Sequence, residues 1–115
     1  MKAVLQTLKQ KKRYVVFEVI SETAIKSYEE LRGSILSGCI SALGELGMAE
    51  AGIRLIDNDY DPVRQRGMIR VGHKHVERLG LALAMIQKVG KSDAVVRCVG
   101  VSGILNKAEE RYILS

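Results

Sequence analysis

Few side chains in this sequence stand at spacings that would do covalent chemistry. Asp57, Asp59 and Asp61 alternate, as the oxygen ligands of a hard cation can. A helix-flanked calcium loop needs glycine at its sixth position and glutamate at its twelfth; Pro62 and Met68 stand there. The triplet is therefore expected to be a solvated turn. His73 and His75 flank Lys74. Two residues apart, they do not share one helical face, and no third ligand is near in sequence, so a zinc site is not expected. A helix start carrying Lys74 could grip a phosphate, although simple surface placement is the commoner outcome. Gly100-Val-Ser-Gly103 lacks the Gly-Lys-Ser/Thr ending of a phosphate-binding P-loop. Ser102 has no convincing His and Asp partners for nucleophilic catalysis. Glu29, Glu30, Glu45 and Glu50 read as solvated positions, not as an acid/base pair. Cys39 and Cys98 each sit among apolar residues without a CxxC pattern, so both are expected to be buried, reduced thiols. No catalytic residue and no metal or cofactor held by the protein is expected.

What remains is charge. The chain carries a formal +5 over 115 residues, and its distribution says more than its sum. Residues 1–13 hold Lys2, Lys9, Lys11, Lys12 and Arg13 and no acid. Residues 14–61 hold three bases and nine acids, and residues 62–92 hold seven bases with only Glu77 opposing them. Two basic blocks flank an acidic one, a pattern that attracts a polyanion on one side and leaves another for water or protein. No apolar run approaches the roughly 20 residues of a membrane span. The opening residues lack the apolar stretch of a secretory signal, so a cytoplasmic location is expected.

The elements that must position these charges are legible by pattern. Residues 1–12 read as a flexible basic arm, followed by one domain over residues 13–115. Tyr14 to Ile20 is β-branched and aromatic, hence a strand. Ser27 and Glu30 have capping-box spacing. Tyr28, Leu31, Ile35, Cys39, Ala42 and Leu46 then recur at helical period, with Gly44 and Gly47 as stop signals. Ile53 to Asn58 and Gly67 to Val71 are expected to form a hairpin around Asp59-Tyr-Asp-Pro62. Val76, Leu79, Leu83 and Ile86 line a second helix ending at Gly90. Ala94 to Val101 is a fourth strand, broken at Gly100–Gly103, where Ser102 would cap a final helix through Tyr112.

The order predicts an α+β, ferredoxin-like (RRM-like) βαββαβ sandwich. It would have a four-stranded antiparallel sheet, two packed helices and an extra C-terminal helix. Strand alternation puts Val15, Phe17, Val19, Ile53, Leu55, Ile69, Val71, Val96 and Cys98 under the helices. The other face carries Tyr14, Val16, Glu18, Ile20, Arg54, Ile56, Arg66, Met68, Arg70, Val95, Arg97 and Val99. So apolar a face needs a cover: the last helix through Leu105, Ala108 and Tyr112, or a partner. Arg54, Arg70 and Arg97 stand there either for a polyanion or only to pair with Glu18 and neighbouring acids. The third strand opens Arg66-Gly67, as the RNA-recognition signature does. Met68 and Arg70 then occupy the slots where that signature has base-stacking aromatics. Phosphate and shape contacts to a folded RNA suit this composition better than stacking.

Over most of its length the chain resembles archaeal ribonuclease P protein component 2, of the small-subunit family shared with eukaryotic ribonuclease P and MRP. The resemblance rests on Lys12-Arg-Tyr-Val-Val-Phe-Glu-Val-Ile-Ser-Glu22, Gly67-Met-Ile-Arg70 and Val99-Gly-Val-Ser-Gly-Ile104, in this order. It implies an RRM-like fold in a ribonucleoprotein whose RNA, with magnesium ions bound to it, removes the 5′ leader of precursor tRNA. It also implies a TIM-barrel protein partner, with two copies of each protein in a heterotetramer. Matched by position, Lys11, Lys12 and Arg13 lead into the first strand, Arg70 lies in the third, and Lys107 and Arg111 lie in the last helix. That helix is less basic than the family's can be, which shifts weight to Arg64, Arg66 and Arg70. The expected RNA-binding set is Lys9, Lys11, Lys12, Arg13, Arg64, Arg66, Arg70, Lys74, Arg97 and Lys107. Two other classes compete. A general single-strand RNA module would need the stacking aromatics that are sparse here. A ferredoxin-like enzyme or small-molecule regulatory domain would need a convergent polar loop, for which Gly100–Gly103 is the one glycine-dense stretch.

Overall fold

The computed structural model describes residues 11–113. Residues 1–10 of the expected arm, Lys9 among them, lie outside the described residues. The central strand β1 (Lys12–Ser21) is the β-branched, aromatic segment anticipated from the sequence. It pairs antiparallel with β3 (Arg66–Gly72) on one side and β5 (Ser92–Ser102) on the other. The short β2 (Arg54–Leu55) adds beyond β3, and β4 (Lys88–Val89) adds beyond β5, giving the order β2-β3-β1-β5-β4. The sheet thus has five strands, not four: residues expected to continue the second helix toward Gly90 leave it and pair instead, Lys88 with Asp93 and Val89 with Ser92. Lys12, placed in the arm by sequence, opens β1 opposite Gly72, and the Lys11 carbonyl accepts from the His73 N–H at 2.8 Å.

Helices α1 (Tyr28–Ala51) and α2 (Val76–Ala84) cover one face. Leu31, Ile35 and Cys39 from α1 and Leu79, Ala82 and Leu83 from α2 pack with Val15, Phe17, Val19, Ile69, Val71 and Val96 into the main core. The Ser27 hydroxyl caps α1 by accepting from the Glu30 N–H at 3.3 Å. Gly44 breaks the helical geometry at φ 74° and ψ 168°, but the chain resumes the helix instead of stopping near Leu46. It ends at Gly52, whose φ of 64° suits a residue without Cβ and whose N–H reaches the Met48 and Ala49 carbonyls. Helix α2 closes at Ala84, six residues before the expected Gly90.

On the opposite face Val16, Met68 and Ala108 form a second buried cluster. Ala108 comes from α3 (Leu105–Ala108), which continues as a π-helical turn through Ile113, so the last helix supplies the cover. Strand β5 runs through Gly100 to Ser102 instead of breaking there. Ser102 does not cap the helix; its hydroxyl accepts from the Ile104 N–H at 3.1 Å, and Ile104 holds the N-cap position. A second correction comes from a β-bulge: Val16 pairs with Gly100 and Phe17 with Cys98, leaving Val99 as the extra residue. Strict alternation fails beyond that point. Cys98 lies before it, opposite Phe17 as alternation expects, yet is exposed instead of buried and directs its thiol to the Gly100 carbonyl at 3.5 Å. Cys39 is buried as expected. Among the described residues no helix is long and apolar enough to cross a membrane.

Candidate nucleic-acid interface

Glu18 lies mid-way along β1, opposite Arg66 on β3 and Arg97 on β5. Both arginines turn to it. Arg66 Nε donates to Glu18 Oε2 at 2.8 Å, and Arg97 donates to Oε1 from its terminal and ε nitrogens at 2.8 and 3.1 Å. Arg66 also donates to the Tyr112 carbonyl at 3.2 Å, which ties the sheet to the turn after α3. These bonds, the one from Arg66 foremost, hold the Glu18 carboxyl below the usual carboxylate range. The Glu18 side chain is 15% exposed and Arg66 23%, whereas Arg97 is 56% exposed. For Arg66 and Arg97, then, pairing with an acid is the observed state.

The hairpin that aims Arg66 is tied down by polar side chains. Asp61 Oδ1 accepts from the Val63 and Arg64 N–H groups at 2.9 and 3.3 Å, shaping the turn. Gln65, at φ 54°, donates to the Val19 carbonyl and accepts from the Ile25 N–H at 2.8 and 2.7 Å. Gly67 lies opposite Phe17, and a Cβ there would sit 2.5 Å from the Phe17 ring. The glycine shared with the RNA-recognition signature therefore serves packing here.

At the other end of β3 a cavity of about 310 Å³ opens at the sheet edge, lined by Arg32, Arg54, Leu55, Ile56, Asp57, Asn58 and Arg70. Arg54 and Arg70 are direct cross-strand partners. Arg70 Nε is buried without a hydrogen-bond partner. Arg32, from the first turns of α1, reaches Asp57 Oδ1 at 3.2 Å, and the same oxygen accepts from the Tyr28 hydroxyl. That bond and the one from Arg32 lower the Asp57 carboxyl, while burial and the bond to Asp57 push the Tyr28 phenol up. Lys12 is pulled down, first by burial and then by the charge of Arg70. Three guanidinium groups share this cavity with one carboxylate.

The expected cations do not form one patch. Lys12, Arg66, Arg70 and Arg97 belong to the sheet, and Arg13 of β1 stands opposite Val71 of β3 while donating to the Lys12 carbonyl at 3.1 Å. Lys11 is exposed just before β1, Arg64 is exposed in the hairpin turn, Lys74 in the turn of residues 73–75, and Lys107 on α3. Arg32 was not singled out, and Arg54, weighed with Arg70 and Arg97 as a residue for a polyanion or for pairing with acids, was left out of the expected set. Strand alternation already put Arg54 beside Arg70 on one face, and that was the available signal; nothing linear tied Arg32 to either. The three aspartates diverge: Asp57 to Tyr28 and Arg32, Asp61 to the turn, and Asp59 to Glu109, whose carboxyl is raised by burial and by Asp59. His73 Nδ1 lies 3.3 Å from the Lys11 carbonyl and His75 Nδ1 3.3 Å from Arg78, so they too diverge. Among the described residues no three potential metal ligands converge.

Where an RNA-recognition module exposes aromatics, this sheet is filled. Met68 is fully buried, and Tyr14 packs against the second cluster beneath α3. Tyr112 lies so close over Gly100 that no side chain would fit between them.

The family's sequence pattern decides what this arrangement belongs to: the Rpp14/Pop5 pattern matches residues 13–113. The chain belongs to the Rpp14/Pop5 family. Ribonuclease P protein component 2 of Thermococcus kodakarensis is 36% identical over 107 residues, covering 93% of this chain and 87% of that protein. The protein of the same name from Methanosarcina mazei is 29% identical over 113 residues, covering 98% and 93%. A chain in the cryo-EM structure of yeast ribonuclease MRP shares the fold, with a TM-score of 0.61 at 14% identity over 82% of this chain and 75% of that one.

Proposed function

We propose that this chain is a noncatalytic protein subunit of ribonuclease P, supporting an RNA catalyst that removes the 5′ leader from precursor tRNA in the cytoplasm. The observation that carries the proposal is the Rpp14/Pop5 match across residues 13–113, with relatives named Ribonuclease P protein component 2 along nearly the whole chain. The fold supports it as an RRM-like sandwich with a fifth strand added at one edge. The chemistry supports it as well: cations held on rigid strands neutralise phosphates, and counterion release then drives binding to a folded RNA. Magnesium belongs to the RNA, and bases placed near the RNA core replace part of the divalent requirement. The TIM-barrel protein of the holoenzyme is the partner, in a heterotetramer with two copies of each. Ile20 and Val95, paired across β1 and β5 beyond the reach of α3 and about half exposed, offer apolar surface for protein contact. A single-strand module is disfavoured because α3 occupies the surface on which bases would stack.

The test is cleavage of precursor tRNA at low magnesium by the archaeal ribonuclease P RNA alone, with the TIM-barrel partner, and with both proteins. Activity is expected only with both. Equal cleavage by the RNA without this chain would overturn the proposal.

A further inference from the structure

Arg54 and Arg70 stand directly opposite each other on β2 and β3. Like charges in that position repel, and side chains there are about 4.5–5.5 Å apart at Cβ. Among the described residues neither arginine forms an ion pair within 4.0 Å, although Asp57 lines the same cavity. Asp57 is already engaged by Arg32 and by the Tyr28 hydroxyl. The cross-strand repulsion is unfavourable in the isolated chain, and an anion seated between the two guanidinium groups relieves it. The burial of Arg70 Nε holds that side chain in place, and this nitrogen is not itself the contact. The cavity's volume of about 310 Å³ accommodates such a group. Guanidinium recognises phosphate through paired parallel hydrogen bonds, which lysine does not reproduce.

We propose that Arg54 and Arg70, with Arg32 at the rim, form a seat for one phosphate group of an RNA backbone. This rests on the reading of the chain as an RNA-contacting subunit and adds where the contact is made. The two strands fix both arginines, so the seat sets the register of the RNA against the sheet edge without reading its sequence. Arg66 and Arg97, spent on Glu18, are not part of it.

The test has two arms on the full chain. In the first, the thermal midpoint is measured in sodium phosphate against sodium chloride at equal ionic strength and pH. Phosphate is expected to raise the midpoint of the wild type in a saturable way. Arg54→Gln, a change at an exposed position, should lose that increment while keeping the same circular-dichroism spectrum. In the second, binding to the ribonuclease P RNA is followed over a salt series. Arg54→Gln should lower the log–log salt slope by about 1, with a uniform loss of affinity. Arg70→Lys, which keeps the charge and loses the fork, should bind more weakly than wild type. An unchanged phosphate response and an unchanged slope in Arg54→Gln, with wild-type RNA binding intact, would overturn the seat and leave the subunit function standing. A phosphate response lost in the variant with an unchanged RNA slope would overturn the RNA assignment. If wild type itself fails to bind RNA, the functional reading falls and the seat's assignment to RNA falls with it.

Discussion

Glu18 is the acid on which the centre of the sheet's second face depends, and replacing it with glutamine isolates that dependence without changing shape. The glutamine keeps one acceptor oxygen but no charge. Hydrogen bonds to charged groups are worth about 1.5–3 kcal/mol net and neutral ones about 1 kcal/mol. Arg66 is only 23% exposed, so its bond to Glu18 keeps most of that difference, about 1 kcal/mol. Arg97 is 56% exposed, and solvent screening reduces its share to roughly 0.2–1 kcal/mol. Glu18→Gln should therefore destabilise by about 1–2 kcal/mol at pH 7. In urea the midpoint should fall with an unchanged m-value, because no change in exposed surface is involved. The pH dependence follows from the direction of the shift. The arginines hold the folded carboxyl below its unfolded value. Its contribution is thus fully present above the unfolded carboxylate range and is lost as pH falls through the folded pKa. The gap between wild type and Glu18→Gln should close in acid. Equal urea midpoints at pH 7, or a gap that persists unchanged once Glu18 is protonated, would refute a structural role for the triad.

Other perturbations separate the two packed faces. Gly67→Ala puts a methyl group 2.5 Å from the buried Phe17 ring and should cost about 1–3 kcal/mol, read as a lowered urea midpoint. Gly100→Ala strikes the Tyr112 ring instead, so it should lift α3 and uncover Met68; increased dye binding and faster proteolysis near residues 103–105 would register it. Cys98 should react with a thiol reagent in the native state, while Cys39, buried and with its thiol pushed up to about 11, should react only on unfolding.

The sequence made the strands around the main core legible because their side chains alternate and both faces matter. Val15, Phe17 and Val19 lie where alternation put them, and so do Val16 and Met68. Alternation ceased to help at the bulge, since the extra residue Val99 is set by pairing with β1 and leaves no local mark. Cys98 precedes the bulge and keeps the face of Phe17 opposite it; what alternation missed there is that the position is exposed. Gly44 shows a related limit. Glycine marks a broken backbone conformation, but only the packing of Gly47 and Ala51 beyond it, both buried, explains why the helix resumes. The two-residue strand β4 has too little chain to carry a period. The face of the site was readable and its cavity was not. Arg54 and Arg70 share a face by parity, whereas Arg32 joins them from α1 around the sheet edge.

These placements determine how an RNA could meet the sheet. A four-stranded RRM surface reads single strands by stacking bases on its open face. Here α3 fills that face, and the two arginines nearest its centre are bound to Glu18. An approaching RNA would have to displace packed apolar side chains and break a low-exposure ion pair before gaining any contact there. At the β2 edge that cost is smaller, because Arg54 is exposed and among the described residues neither Arg54 nor Arg70 is held in an ion pair within 4.0 Å. On the proposed reading, RNA contact falls where the repulsion between Arg54 and Arg70 can be relieved. A contact of that kind neutralises phosphate charge and is indifferent to base identity. It fits a subunit that holds a folded RNA in one register, and it does not fit a module that selects a sequence.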